Sequence, residues 1–309
     1  MPATRIMARD LEPQQSVHER NDLGKRSAWA CTRLPPCSGL GINRPQLYRE
    51  TSMSAPDPKA PSVGASQGGI AMLPPLYGAL EPLTAQRHAA LRVREAGFGF
   101  ARGISAIPLA AEEFAIACRQ YPIVFTSQLP HMPVAIVGLT VDSNTYVDAD
   151  GRWEEGRYVP AYLRRFPFFL VRVAEGSEDL ALCMDPGAAQ LSTTEGEPLF
   201  GADGKPTPML DRAFTFSRSL EVAIQKTRAM TEALAALKLL QPAAVQFEQF
   251  GKPNKIDGFH AIQREAFAAL TPAQLAELRD NGQLEMIYAH LLSLGGLPEL
   301  AARTKPAAA

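Results

Sequence analysis

The chain has 309 residues and a formal net charge of −1, with 46% hydrophobic and 20% charged residues. That balance belongs to a globular protein and excludes a fibrous or wholly disordered chain. Residues 1–71 hold nine Lys and Arg against six Asp and Glu, which leaves 22 basic and 26 acidic groups for the rest. The rest is therefore mildly acidic, and it offers nucleic acid or anionic lipid no basic field.

Residues 1–71 mix Pro, Ser, Gly and Arg without helical or strand periodicity, a composition that does not repay the entropy of ordering. They are expected to be a disordered extension. Met53 and Met72 each precede a plausible beginning, so the true start is expected downstream of Met1. Residues 72–300 are expected to form one domain, and 301–309 a disordered tail.

Within that domain, His88–Glu95 and Gly99–Ile107 read as strands, and Ala110–Arg119 as a short amphipathic helix. Ile123–Ser127 and Pro133–Leu139 read as buried strands bounded by proline or glycine. Tyr146–Asp148 and Arg152–Trp153 flank an Asp150-Gly151 pair, which supplies the positive φ of a tight hairpin. A short helix begins near Pro160, and strands follow at Phe168–Val173 and Asp179–Met184. A second Asp-Gly turn stands at Asp203-Gly204.

Thr207-Pro208 is a helix start, because Thr caps free amides and Pro suits the first turn. Leu220, Ile224, Thr227, Met230, Leu234 and Leu237 then recur at helical spacing. Val245–Gln249 and Phe259–Ile262 read as strands. Thr271, Pro272 and Gln274 open a helix as a capping box, which Asn281-Gly282 ends. The last helix, Leu284–Leu294, carries Leu284, Ile287, Tyr288, Leu291 and Leu294 on one apolar face. The fold class is α+β: a mixed, mainly antiparallel sheet with a long helix and a C-terminal helical pair packed on it.

No segment approaches the ~20 apolar residues a spanning helix needs, so no membrane insertion is expected. Residues 1–10 lack the apolar run of a secretory signal. Cys31, Cys37, Cys118 and Cys183 form no disulfide framework, which points to a reducing, cytoplasmic location. Asp142, Asn144, Asp148 and Asp150 crowd one loop, but alignment on Gly151 puts Tyr146 and Arg157 where a calcium loop needs oxygen ligands. Turn chemistry accounts for them, and no metal is expected. Gly97, Gly99 and Gly103 miss the dinucleotide spacing, and no cofactor is expected.

Cys183, Asp185 and a histidine, with His290 one candidate, are the weak catalytic constellation. A buried thiol in an apolar strand is more often a small core residue. The stronger candidate is a ligand-binding block: Trp153, Tyr158, Tyr162, Arg164 and Arg165, rings beside guanidinium groups that suit a carboxylate or a planar ligand. Arg164 and Arg165, about 100° apart on a helix, are expected to split, one inward and one to water. The inward arginine then meets Asp148 or Asp185, or lines a pocket with Trp153 and Tyr158.

The run Tyr158-Val-Pro-Ala-Tyr-Leu-Arg-Arg-Phe-Pro-Phe168 resembles the hallmark of the bacterial SapC-like family. Tyr121–Phe125, Asn144–Trp153, Leu182–Asp185, Pro198–Phe200 with Asp203-Gly204-Lys205-Pro206-Thr207, Gly258-Phe259 and Tyr288–Leu294 extend the likeness over roughly residues 72–300. The resemblance implies a link to the surface layer and an accessory role in handling cell-surface material or nutrient uptake. It brings no catalytic residues. It also brings a peptide-permease label, which the missing spanning segments contradict. The reading is a binding or accessory protein with an unknown small-molecule or protein partner and no nucleic acid. The alternatives are an enzyme using Cys183 and Asp185, and a surface-layer subunit, whose need for export conflicts with the missing signal.

Overall fold

A computed structural model describes residues 73–140, 142–173, 179–249 and 252–304. The chain divides into two units, Met1–Gln67 and Gly68–Ala309. The first lies outside the described residues, as do Cys31, Cys37 and both proposed internal starts.

The strands are β1 (Glu81–Pro82), β2 (Arg92–Val93), β3 (Ala106–Pro108), β4 (Ile123–Thr126), β5 (Pro133–Ile136) and β6 (Phe168–Arg172). They continue as β7 (Leu180–Met184), β8 (Leu191–Ser192), β9 (Glu197–Pro198), β10 (Leu240–Gln249) and β11 (Lys252–Ile262). The α-helices are α1 (Ala85–His88), α2 (Phe114–Ala117), α3 (Ala161–Arg164), α4 (Pro208–Ala236), α5 (Arg264–Ala268), α6 (Pro272–Asp280), α7 (Gln283–Ser293) and α8 (Leu297–Arg303). The α+β class holds. The single mixed sheet resolves into three sheets, in the orders β1-β7-β6, β10-β11-β4-β5-β3 and β8-β2-β9. Every pairing among them is antiparallel.

The punctuation residues act where the chain requires them. Gly151 and Gly204 take φ of 81° and 75° in their turns, and antiparallel bridges Val147–Trp153 and Phe200–Pro206 close the two hairpins. Thr207 accepts from the Leu210 amide at the head of the 29-residue α4. Thr271 and Gln274 form the capping box of α6, and Gly282, at φ 72°, separates it from α7.

Four expectations change. His88 belongs to α1 rather than a strand, and its Nδ1 accepts from the Thr84 amide, so only Arg92–Val93 of that run is extended. Gly99–Ala101 is a 3-10 turn, because Gly97 and Gly99 lie against the Gly151 backbone and Phe98 N–H donates to Gly151 O at 2.7 Å. β10 and β11 are longer than alternation indicates, because their backbone ladder persists through polar sequence, with a register shift between Ala243 and Val245. Tyr288 is 53% exposed, set edge-on to Phe267, while Ile287 and Leu291 enter the core. At the C-terminus, α8 runs through Arg303 and Thr304 is buried.

The main core gathers Phe114, Tyr121, Ile123, Phe125, Leu163, Leu234 and Ile287. A second cluster, Phe168, Met184, Leu199, Phe200 and Leu210, joins β6, β7 and the head of α4. No helix among the described residues is long and apolar enough to cross a membrane.

Candidate functional site

Helix α3 places the two arginines. Its fixing point is Glu113, a buried carboxylate at the foot of α2. Oε2 accepts from the Ala110 amide at 2.8 Å, and Oε1 accepts from the Ala161 amide at 2.8 Å and the Tyr158 hydroxyl at 2.9 Å. Burial, then the adjacent carboxylate, pushes the Tyr158 phenol up to about 12, so it stays a donor. Arg164 leans on this support: Nη2 donates to the Tyr158 hydroxyl, Nε donates to Val159 O, and the guanidinium lies 5.1 Å from the Phe216 ring centre.

The split between adjacent arginines is as expected: Arg164 is exposed and Arg165 is 4% exposed. The expected acidic partner is not there. Among the described residues Arg165 forms no ion pair, and its guanidinium rests 4.4 Å from the Tyr162 ring centre and 4.0 Å from that of Phe169. Its Nε is buried without a hydrogen-bond partner. Asp185 instead accepts from the amides of Gly78 and Gly187, which makes it a turn anchor. Asp148 accepts from the amides of Asp150 and Arg152, the turn chemistry read from the sequence.

Arg164 and Arg165 line a recess of about 400 Å³ with Arg94, Arg212, Gln190 and an apolar wall from β2, β6 and α4. Gln190 is buried, and its Oε1 also lacks a partner. Arg94, Arg212 and Gln190 were not singled out by sequence reasoning. They lie far apart in the chain and meet only because the β8-β2-β9 sheet packs beside α4. No local signal marks them.

Trp153 does not reach this recess. It stacks on Tyr146, with centroids 6.0 Å apart, and lines a separate recess of about 750 Å³. There Glu154 joins Arg157 and Arg303, and hydrogen bonding from Arg303 holds its carboxyl below the usual range. Tyr162 is buried, its hydroxyl donating to Pro75 O. The five-residue block is thus distributed: Arg164 and Arg165 share one recess, Tyr158 supports Arg164, and Trp153 faces elsewhere.

The catalytic constellation is not assembled. Cys183 is 3% exposed in β7, burial pushes its thiol up to about 11, and no hydrogen bond joins it to a histidine among the described residues. His290 is fully buried; its Nδ1–H donates to Ile123 O at 2.8 Å and its Nε2 accepts from the Ile262 amide at 3.1 Å. Both ring nitrogens are occupied in tying α7 to β4 and β11.

The SapC family model matches residues 83–300, most of the chain. The chain belongs to the SapC family. Neither the curated proteins nor the solved structures compared with it contain a match. In this SapC protein the run from Tyr158 to Phe168 is the segment that supplies α3, the supporting tyrosine and both arginines of the smaller recess.

Proposed function

We propose that this SapC protein is a binding protein without catalytic chemistry of its own, which takes a small anionic ligand in the recess lined by Arg164 and Arg165. In the cell it serves the handling of cell-surface material or nutrient uptake, acting from the cytoplasm. One observation carries the reading: a buried arginine without a carboxylate partner lines a preformed recess. A buried guanidinium is ordinarily paired, so an anion arriving there meets a charge that aromatic rings hold but no carboxylate among the described residues neutralises. The volume lies within the range of small-molecule sites. Cys118 and Cys183 are free thiols, in keeping with a reducing compartment.

The test is a thermal-shift screen of metabolites, peptides and cell-surface sugars on the full chain, since a ligand that binds only the native state raises its melting temperature. Arg164→Met and Arg165→Met are screened in parallel. Because Arg165 has no ion pair to lose among the described residues, Arg165→Met is expected to fold with little change in stability and to lose the ligand response. A ligand that shifts wild type and both variants equally would move the site elsewhere, and a screen without any shift would end the proposal.

A further inference from the structure

The recess has two chemically distinct sides, and resting on the binding reading above, we infer that its ligand is an amphipathic anion: a carboxylate or phosphate head on an apolar body. The apolar side is built from α4, where Met209, Ala213 and Phe216 stand at i, i+4 and i+7 and so share one helix face. Phe168 faces them from β6 and continues the wall into the second core cluster, against which Met209 and Ala213 also pack. A wholly polar anion leaves this wall unused.

The charged side is the set of four arginines, against Glu95 and Glu197 in the same lining. Arg165 and Arg164 are held by aromatic rings. Arg94 and Arg212 are held by carboxylates: Arg94 Nη1 by Glu195 at 3.0 Å and Arg212 Nη2 by Glu197 at 3.2 Å. Glu195 lies in the turn that joins β8 to β9, whose Gly196 carbonyl also accepts from Arg92, and Glu197 opens β9. These pairs are 43%/67% and 67%/67% exposed, and ion pairs so exposed contribute little, so an arriving head group displaces them readily. Glu195 and Glu197 thus occupy the positions that the ligand's oxygens would take. A neutral apolar molecule leaves the guanidinium groups unanswered.

The experiment is isothermal titration of the full chain with decanoate, decyl phosphate, decanol, decyltrimethylammonium, citrate and inorganic phosphate. Decanoate or decyl phosphate is expected to bind about tenfold or more tightly than decanol, the cationic amphiphile or either polar anion. Which of the two is tighter assigns the head group. Arg94→Gln with Arg212→Gln weakens that binding about tenfold or more, and Ala213→Trp, which fills the apolar side, removes it. Arg218→Gln, on the same helix but outside the lining, leaves it unchanged. Equal binding of decanol, equal binding of citrate, or full binding by the Arg94 and Arg212 double variant overturns the inference; these two side chains are exposed, so that variant tests it even if Ala213→Trp does not fold. If no amphiphilic anion binds but a screened ligand still depends on Arg165, the ligand class falls and the binding reading stands.

Discussion

With one ring nitrogen donating to Ile123 and the other accepting from Ile262, His290 has no lone pair left for proton transfer. Burial depresses its pKa from 6.5 to about 4. Below 6.5 the unfolded chain takes up a proton that the folded chain refuses, so the contribution of His290 is fully present above that pH and is lost as pH falls through about 4. The window corresponds to about 3 kcal/mol. Urea unfolding between about pH 7 and about pH 4 should show that loss, and His290→Asn should flatten it; an unchanged slope would mean that other groups govern acid stability. Cys183 makes a second test. With its thiol pushed up to about 11, it should resist iodoacetamide in the native protein, whereas the half-buried Cys118 should label before it. Rapid labelling of Cys183 would revive the nucleophile reading. At this scale the sequence carried the opposed directions of Arg164 and Arg165, since helix geometry alone separates them. It did not carry the partner, because aromatic rings from Tyr162 and Phe169 replaced the expected aspartate only through tertiary packing.

Elements were legible where punctuation is chemical. The Asp-Gly turns, the Thr207-Pro208 and Thr271-Pro272 helix starts and the Gly282 break all depend on backbone preferences that one or two residues express. Elements decided by neighbours were not: Gly99–Ala101 turns because the chain must pass the Gly151 backbone. The support of α3 is another such case. Glu113 lies 48 residues from the Ala161 amide it accepts, and no local pattern joins them. Glu113→Ala strands three donors, the Ala110 and Ala161 amides and the Tyr158 hydroxyl. It should cost about 3 kcal/mol or more in chemical denaturation, with Glu113→Gln costing less because one amide oxygen still accepts. A loss under about 1 kcal/mol would show that α3 is positioned by apolar packing instead.

For the whole molecule, the run from Tyr158 to Phe168 forms one wall of the smaller recess rather than the whole of it. The run brings Arg164 and Arg165; the β8-β2-β9 sheet and α4 bring Arg94, Gln190, Arg212 and the apolar wall. The larger recess around Trp153 is braced by the Glu154, Arg157, Glu299 and Arg303 ion pairs, which fasten α8. The two recesses make different predictions for the same ligand, and amide hydrogen exchange with mass spectrometry on the full chain separates them. A ligand that raises the melting temperature should slow exchange in residues 93–95, 164–168 and 209–216 and leave residues 142–155 unchanged. Protection confined to residues 142–155 would contradict the account and place binding at the Trp153 recess.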